Sequence, residues 1–157
     1  MAKTIELTQG YAAIVDDEDY EMLSKHKWCV FRKPRTTYAR TWLGGKNVSM
    51  HRLILDAPPG EQVDHINGDG LDNRRHNIRL CTIIQNSHNH KTYQTNTSGY
   101  KGVSWNKQRS KWRAMIMCDG KSVWLGYFAD LLRAAQAYDA KAKELYGEFA
   151  RPNFQGE

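Results

Sequence analysis

The residues best suited to chemistry lie in one run, VDHINGDGLDNRRHNIRLCTIIQN, from Val63 to Asn86. Asp64 and His65 are adjacent, Asn77 follows His65 by twelve residues, Asn86 comes nine later, and His90 four beyond that. A calcium loop needs oxygen donors at alternate positions, a glycine at the sixth and an acid at the twelfth. Counted from Asp64 the third position is Ile66 and the twelfth Arg75; counted from Asn67 the sixth is Asp72, so both registers fail. A polar turn explains the glycines and asparagines but not the Asp–His pair. The remaining chemistry is phosphodiester hydrolysis, which needs a base for water and a cation for the charge on phosphate and leaving oxygen. Neighbours on a strand point to opposite sides, so one of Asp64 and His65 can hold a metal ion while the other faces the attacking water. Asn86 and His90, four apart, share one face of a helix and can complete the ion's coordination. Asn77 is placed to hydrogen-bond across the loop and hold His65. Oxygen-rich ligation favours one divalent ion, Mg²⁺ or Mn²⁺.

These residues need a scaffold, and the local signals supply one. EQVDHI and IRLCT read as strands around a loop of turn formers, and TIIQNSHNH as a short helix whose Thr82 and Gln85 make a capping box. Before them, IELTQGYAAIVD reads as a strand or hairpin and DDEDYEMLSKHKW as a helix capped by Asp16 or Asp17. WCVFRK and TYARTWLGGKNVSM follow as a hairpin, and HRLIL as a short helix or strand stopped by DAPPG. Behind the run, KTYQTNTSG reads as a linker. YKGVSW, KWRAMIMC and KSVWLGYF are three strands, the last two joined by the Asp-Gly turn of CDGK. A helix over 131–146 follows, capped by Asp130 and ended by Gly147, with Leu132, Ala135, Tyr138, Ala142 and Leu145 as its apolar stripe. The expected class is α+β: a small N-terminal segment at 1–59, a ββα unit at 60–90, a linker at 91–99, and a three-stranded sheet packed on one helix at 100–157.

Charge points to the partner. The 157 residues carry a net +6, and within 101–125 six basic residues face the single acid Asp119. A polyanion, most simply nucleic acid, is the expected partner. Strand alternation leaves Lys111, Arg113 and Trp124 on the sheet face away from the helix, with Val123, Leu125 and Tyr127 facing it. Cations beside an exposed indole suit phosphates and bases. Cys29, Cys81 and Cys118 form no C-x-x-C pair, which argues against a zinc knuckle or disulfide framework and suits buried thiols in a reducing cytoplasm. No apolar run is long enough for a signal peptide or membrane span, so a cytoplasmic, non-secreted protein is expected.

Two resemblances add to this reading. YKGVSW, KWRAMI, KSVWLGYF and AAQAYDAKAKELYGEFARPNF, in that order, resemble the AP-two/ethylene-response-factor DNA-binding domain, in which a three-stranded sheet reads the major groove and one helix supports it. By position the resemblance implies DNA contacts at Lys101, Lys111 and Trp124. Ser104 and Ser122 stand where arginine is usual, and Trp105, Lys107, Arg109, Arg113 and Lys121 are candidate substitutes as phosphate contacts. The spacing of Asp64, His65, Asn77, Asn86 and His90 resembles the HNH endonuclease motif, as does the preceding VDDEDYEMLSKHKW, MHRLIL and PPG. That resemblance implies His65 as general base, Asn77 as structural asparagine, and Asp64, Asn86 and His90 as metal positions. Asn86 stands where many members carry a second histidine, and the phage and intron-borne homing branch accepts asparagine there. Together they imply a homing-type endonuclease on double-stranded DNA, acting as a monomer or weak dimer. The alternative is a non-cleaving DNA-binding regulator with an inactive nuclease unit.

Overall fold

A computed structural model of the chain describes residues 1–34, 36–89 and 96–154. Two compact units make up the chain, Met1–Asn86 and Ser87–Glu157.

In the first unit, β1 (Ala2–Glu6) and β2 (Ala12–Asp16) form an antiparallel hairpin. Its turn places Gln9 and Gly10 at positive φ. Helix α1 (Asp17–Ser24) follows at once, with Asp17, Glu18 and Asp19 in its first turn, where acids favour the helix dipole. A three-stranded antiparallel sheet then forms from β3 (Cys29–Lys33), β4 (Thr36–Leu43) and β5 (Lys46–Ser49), one strand more than the expected hairpin. Gly44 and Gly45, both at positive φ, close the additional two-residue turn. HRLIL contributes to a short helix, α2 (Met50–Ile54). Strands β6 (Gln62–His65) and β7 (Ile78–Cys81) pair antiparallel, and α3 (Ile83–His88) follows them. The expected capping box is present, with Thr82 N–H donating to Gln85 Oε1 at 2.8 Å and Gln85 N–H to Thr82 Oγ1 at 3.2 Å.

One core runs through this unit. Val63 and Ile78 of the β6–β7 pair are buried with Ile5, Val15, Leu23, Trp28, Met50 and Ile54. The strand pair bearing Asp64 and His65 is too small to bury an apolar face alone; the N-terminal segment supplies that face. It also grips the loop between the two strands. Ile14 N–H donates to Leu71 O and Asn73 N–H to Ile14 O, at 2.8 and 2.7 Å. Arg75 reaches back to the buried Asp19 through Nε and Nη2, and its own N–H donates to Asp16 Oδ2. Gly70 packs where a Cβ would strike the Thr37 carbonyl and the Tyr38 ring.

In the second unit, β8 (Val103–Asn106), β9 (Lys111–Cys118) and β10 (Lys121–Phe128) form an antiparallel sheet in the order β10-β9-β8. Helix α4 (Leu131–Tyr146) packs on it. Asp130 caps the helix through a bond from Arg133 N–H, and Gly147 ends it at positive φ. Its buried face is set by Ala134, Ala135, Tyr138 and Ala142, with Leu131 packed against the core. Leu132, expected on that stripe, is exposed: a helical face at 134, 135, 138 and 142 continues through 131, not 132. All three cysteines are free thiols, but only Cys81 is buried, and Cys29 is exposed. No helix among the described residues is long and apolar enough to cross a membrane.

Candidate active site and nucleic-acid face

Asp64 and His65 end β6, and both are buried, at 4% and 5% exposure. Asp64 lies directly opposite Arg79 in the antiparallel ladder. Arg79 donates to Asp64 Oδ2 from Nε at 3.1 Å and from Nη2 at 2.8 Å, so the buried carboxylate has a cation beside it. His65 points to the other side of the strand, toward three groups. Its Nε2 is 3.2 Å from Asn73 Oδ1. Its ring centroid lies 4.9 Å from that of His51 on α2, edge-on, and 5.8 Å from that of Tyr38 on β4. Burial holds the His65 imidazole below its ordinary pKa, partly offset by its bond to Asn73 and by the Asp64, Asp69 and Asp72 carboxylates.

Asn77, expected early in the second strand, instead ends the 3-10 turn Arg75–Asn77 just before β7, and its side chain braces the loop. Its Oδ1 accepts from Asn67 N–H at 3.0 Å, and its Nδ2 donates to Asp72 O at 2.7 Å and to Asn67 Oδ1 at 3.1 Å. Its carbonyl also accepts from Ile66 N–H, so it fixes the backbone that follows His65. Arg74 and Arg75, between these asparagines, are committed to Asp72 and to Asp19 with Glu18. Asn86 is on α3, its N–H bonded to Thr82 O at 3.0 Å. His90 lies outside the described residues. Among the described residues no three His, Cys, Asp or Glu side chains converge as a metal cage.

Sequence reasoning missed Asn73 and His51. Asn73 reads as one more turn former in an asparagine-rich loop, yet it is completely buried and touches the His65 ring. His51 is buried with its Nδ1 unpartnered. Burial, then the neighbouring His65 and the charges of Arg52, Arg40 and Lys33, push its pKa down to about 3. The sign is that of a depressed folded-state pKa. As pH falls below about 6.5 the unfolded chain takes up a proton that the folded chain refuses, so stability is lost progressively down to about pH 3. The first unit should lose about 1.4 kcal/mol per pH unit across that window through this group. Urea unfolding followed at the buried Trp28 should show that slope, and His51→Phe should flatten it; an equal slope in both proteins would assign acid sensitivity elsewhere.

In the second unit, Lys111, Arg113 and Trp124 share the exposed sheet face, as alternation predicts. Arg113 Nε donates to Ser104 Oγ at 3.1 Å, Ser104 being one of the two serines that stand in place of arginine. A bulge between Trp124 and Gly126 reverses the alternation, so Tyr127 pairs with Arg113 and turns outward. Strict alternation would instead set Tyr127 against the helix. Its ring packs on Trp124 at 4.6 Å, and the Arg109 guanidinium lies 5.0 Å over it. Lys107 and Arg109 are exposed in the β8–β9 turn. Trp105 pairs with Trp112 and shares its side of the sheet, opposite to Arg113, and Lys121, paired with Cys118, is on that side too. Lys101 is 6% exposed, its Nζ donates to Arg151 O at 2.8 Å, and burial lowers its pKa to about 8. Its ammonium is occupied inside the unit, which is at odds with a DNA contact there.

Comparison with known proteins follows this division. A model of the HNH endonuclease family matches residues 56–88, and a model of the AP2 domain matches residues 98–148. The chain is 40% identical over 94 residues to Protein 3.8 of Escherichia phage T7, covering 60% of this chain and 77% of that protein. It is 32% identical over 151 residues to the uncharacterized HNH endonuclease L560 of Acanthamoeba polyphaga mimivirus, covering 92% and 76%. Over 65 residues it is 42% identical to Dehydration-responsive element-binding protein 2A of Oryza sativa subsp. indica, covering 39% of this chain and 23% of that one. No solved structure matches the chain.

Proposed function

Since the chain belongs to the HNH endonuclease family and is a nuclease with an AP2 DNA-binding domain behind its nuclease unit, we propose that it is a homing-type enzyme hydrolysing double-stranded DNA with His65 as general base. The observation that carries this reading is a buried histidine beside a buried aspartate, its ring held by a loop side chain, within the HNH-matching residues. His65 takes a proton from water, the oxygen attacks phosphorus, and the 3′ oxygen leaves. Asn77 keeps the loop and the backbone beyond His65 in place.

HNH endonucleases generally use a divalent metal. The donors in this chain suit one: Asp64 is a buried carboxylate held in place by Arg79 through Oδ2, and the Asn86 side chain offers a second hard oxygen. Asp64, Asn86 and His90 would hold Mg²⁺ or Mn²⁺, which supplies charge stabilisation for the phosphate and its leaving oxygen. Lys111, Arg113, Trp124, Lys107 and Arg109 grip the duplex, with Trp105 and Lys121 at the sheet's margin. One nuclease site per chain favours nicking by a monomer, and a double-strand break where two chains cooperate in a weak dimer. The work would take place in the cytoplasm of a bacterium or phage-infected cell, where the DNA is.

Supercoiled plasmid and Mg²⁺ give the test. The wild-type protein should produce nicked circles, and a chelator should stop it. Asp64→Asn, which keeps the side chain's shape, should bind Mn²⁺ at least about 10-fold more weakly by calorimetry and nick correspondingly slowly. Nicking that survives chelation, or a variant that binds Mn²⁺ like wild type, would remove Asp64 and its ion from the mechanism.

A further inference from the structure

Asn73 is hydrogen-bonded to the His65 ring, and its two side-chain hydrogen bonds together determine which way its amide points. Asn73 Nδ2 lies 3.1 Å from the carbonyl of Leu71, and Oδ1 lies 3.2 Å from His65 Nε2. A carbonyl only accepts, so the atom facing Leu71 O must be the NH₂ group; the flipped amide would set oxygen against oxygen. The atom facing His65 is then an acceptor, and a neutral imidazole must present its N–H to it. The amide is not free to drift from this position. Asn73 is completely buried, its own N–H is bonded to Ile14 O, and the loop on both sides is tied to β2 and α1.

We propose that Asn73 is a positioning residue that locks His65 in the Nε2–H tautomer, so that Nδ1 is the nitrogen that takes the proton from water. The assignment rests on His65 being the base and adds which of its nitrogens acts. It also gives the N-terminal hairpin a part in the reaction, because Ile14 carries the backbone of the residue that sets the tautomer. With Asn73 replaced by a side chain lacking an acceptor, both tautomers become accessible, and the fraction carrying its proton on Nδ1 cannot act as base. The cost falls on turnover and not on DNA binding, because Asn73 touches the base and not the exposed sheet.

The test uses the full-length protein with ¹⁵N-labelled histidine, at a pH where imidazole is neutral, with the His65 signals identified by their loss in His65→Ala. Wild type should show His65 protonated at Nε2 alone. Asn73→Leu should show an averaged mixture of tautomers and a kcat lowered by about 10²-fold, with KM unchanged, in keeping with the cost of a wrong tautomer in a histidine base. Asn73→Asp restores an acceptor at Nε2 and should return the Nε2–H spectrum and part of the turnover. An Nδ1–H spectrum in wild type overturns the proposal, and that spectrum decides even if Asn73→Leu does not fold. A Leu variant with the wild-type tautomer or wild-type kcat overturns it equally. If His65→Ala cleaves as fast as wild type the base assignment fails instead, and the spectrum separates the two failures.

Discussion

Replacing His65 by alanine is expected to lower the rate of plasmid nicking by about 10²- to 10⁴-fold, the span over which a positioned base contributes to proton transfer. Binding to the same DNA should change little, because the exposed cations and Trp124 are carried by the other unit. The effect should therefore appear in kcat, with KM nearly constant. Burial also sets where the wild-type rate should respond to pH. It lowers the pKa of His65, so the ring stays unprotonated, and able to act as base, below the ordinary imidazole range. The acidic limb of the rate profile should have its midpoint below 6.5 and should be absent from the residual rate of His65→Ala. Folding of the variant is checked at the buried Trp28, whose Nε1–H donates to Leu23 O at 2.8 Å. A folded variant with wild-type turnover would remove His65 from the chemistry.

The elements around this site were legible wherever a local signal determines geometry. Thr82 and Gln85 announce where α3 begins because a capping box needs only residues three apart, and both of its bonds are made. Asp119 and Gly120 mark the β9–β10 turn because both take positive φ, which few residue pairs tolerate. Asp130 and Gly147 bracket α4 for the same kind of reason. Asn73 was not legible. Its type is that of every turn former around it, and what distinguishes it is a tertiary matter: a backbone bond to Ile14, fifty-nine positions earlier, buries it against His65. The pairing of Asp64 with Arg79 needs the register of β6 on β7, which a twelve-residue loop between the strands does not disclose. The outward turn of Tyr127 needs the bulge, and strict alternation gives the opposite face. Local chemistry thus picked out the run that matches the HNH family, while the partners that orient its groups come from long-range packing.

The largest expected effect on stability lies in the second unit, at Asp139. This carboxylate is buried on α4 and gathers the C-terminal tail. Its Oδ1 accepts from Asn153 N–H at 2.7 Å and Asn153 Nδ2 at 3.0 Å, and its Oδ2 accepts from Phe154 N–H at 2.8 Å. Asn153 in turn accepts from Lys101 N–H at 2.6 Å, at the start of the sheet. Asp139→Ala deletes the acceptor for three donors at once. A hydrogen bond to a charged acceptor contributes about 1.5–3 kcal/mol, and bonds half-buried like these stand at the lower end. A loss of about 3–5 kcal/mol is expected, comparable to the whole stability that a unit of this size draws from one small core. The second unit should then unfold at or near room temperature, and DNA affinity should fall with it. The first unit has its own core and shares no buried residue with the clusters around α4, so Trp28 should report unchanged stability. Asp139→Asn keeps one acceptor oxygen for Asn153 and should lose less. Amide exchange and urea unfolding, read separately at Trp28 and at Trp112, would check this. If both tryptophans lose protection together in Asp139→Ala, the two units are coupled and the clamp acts on the whole chain.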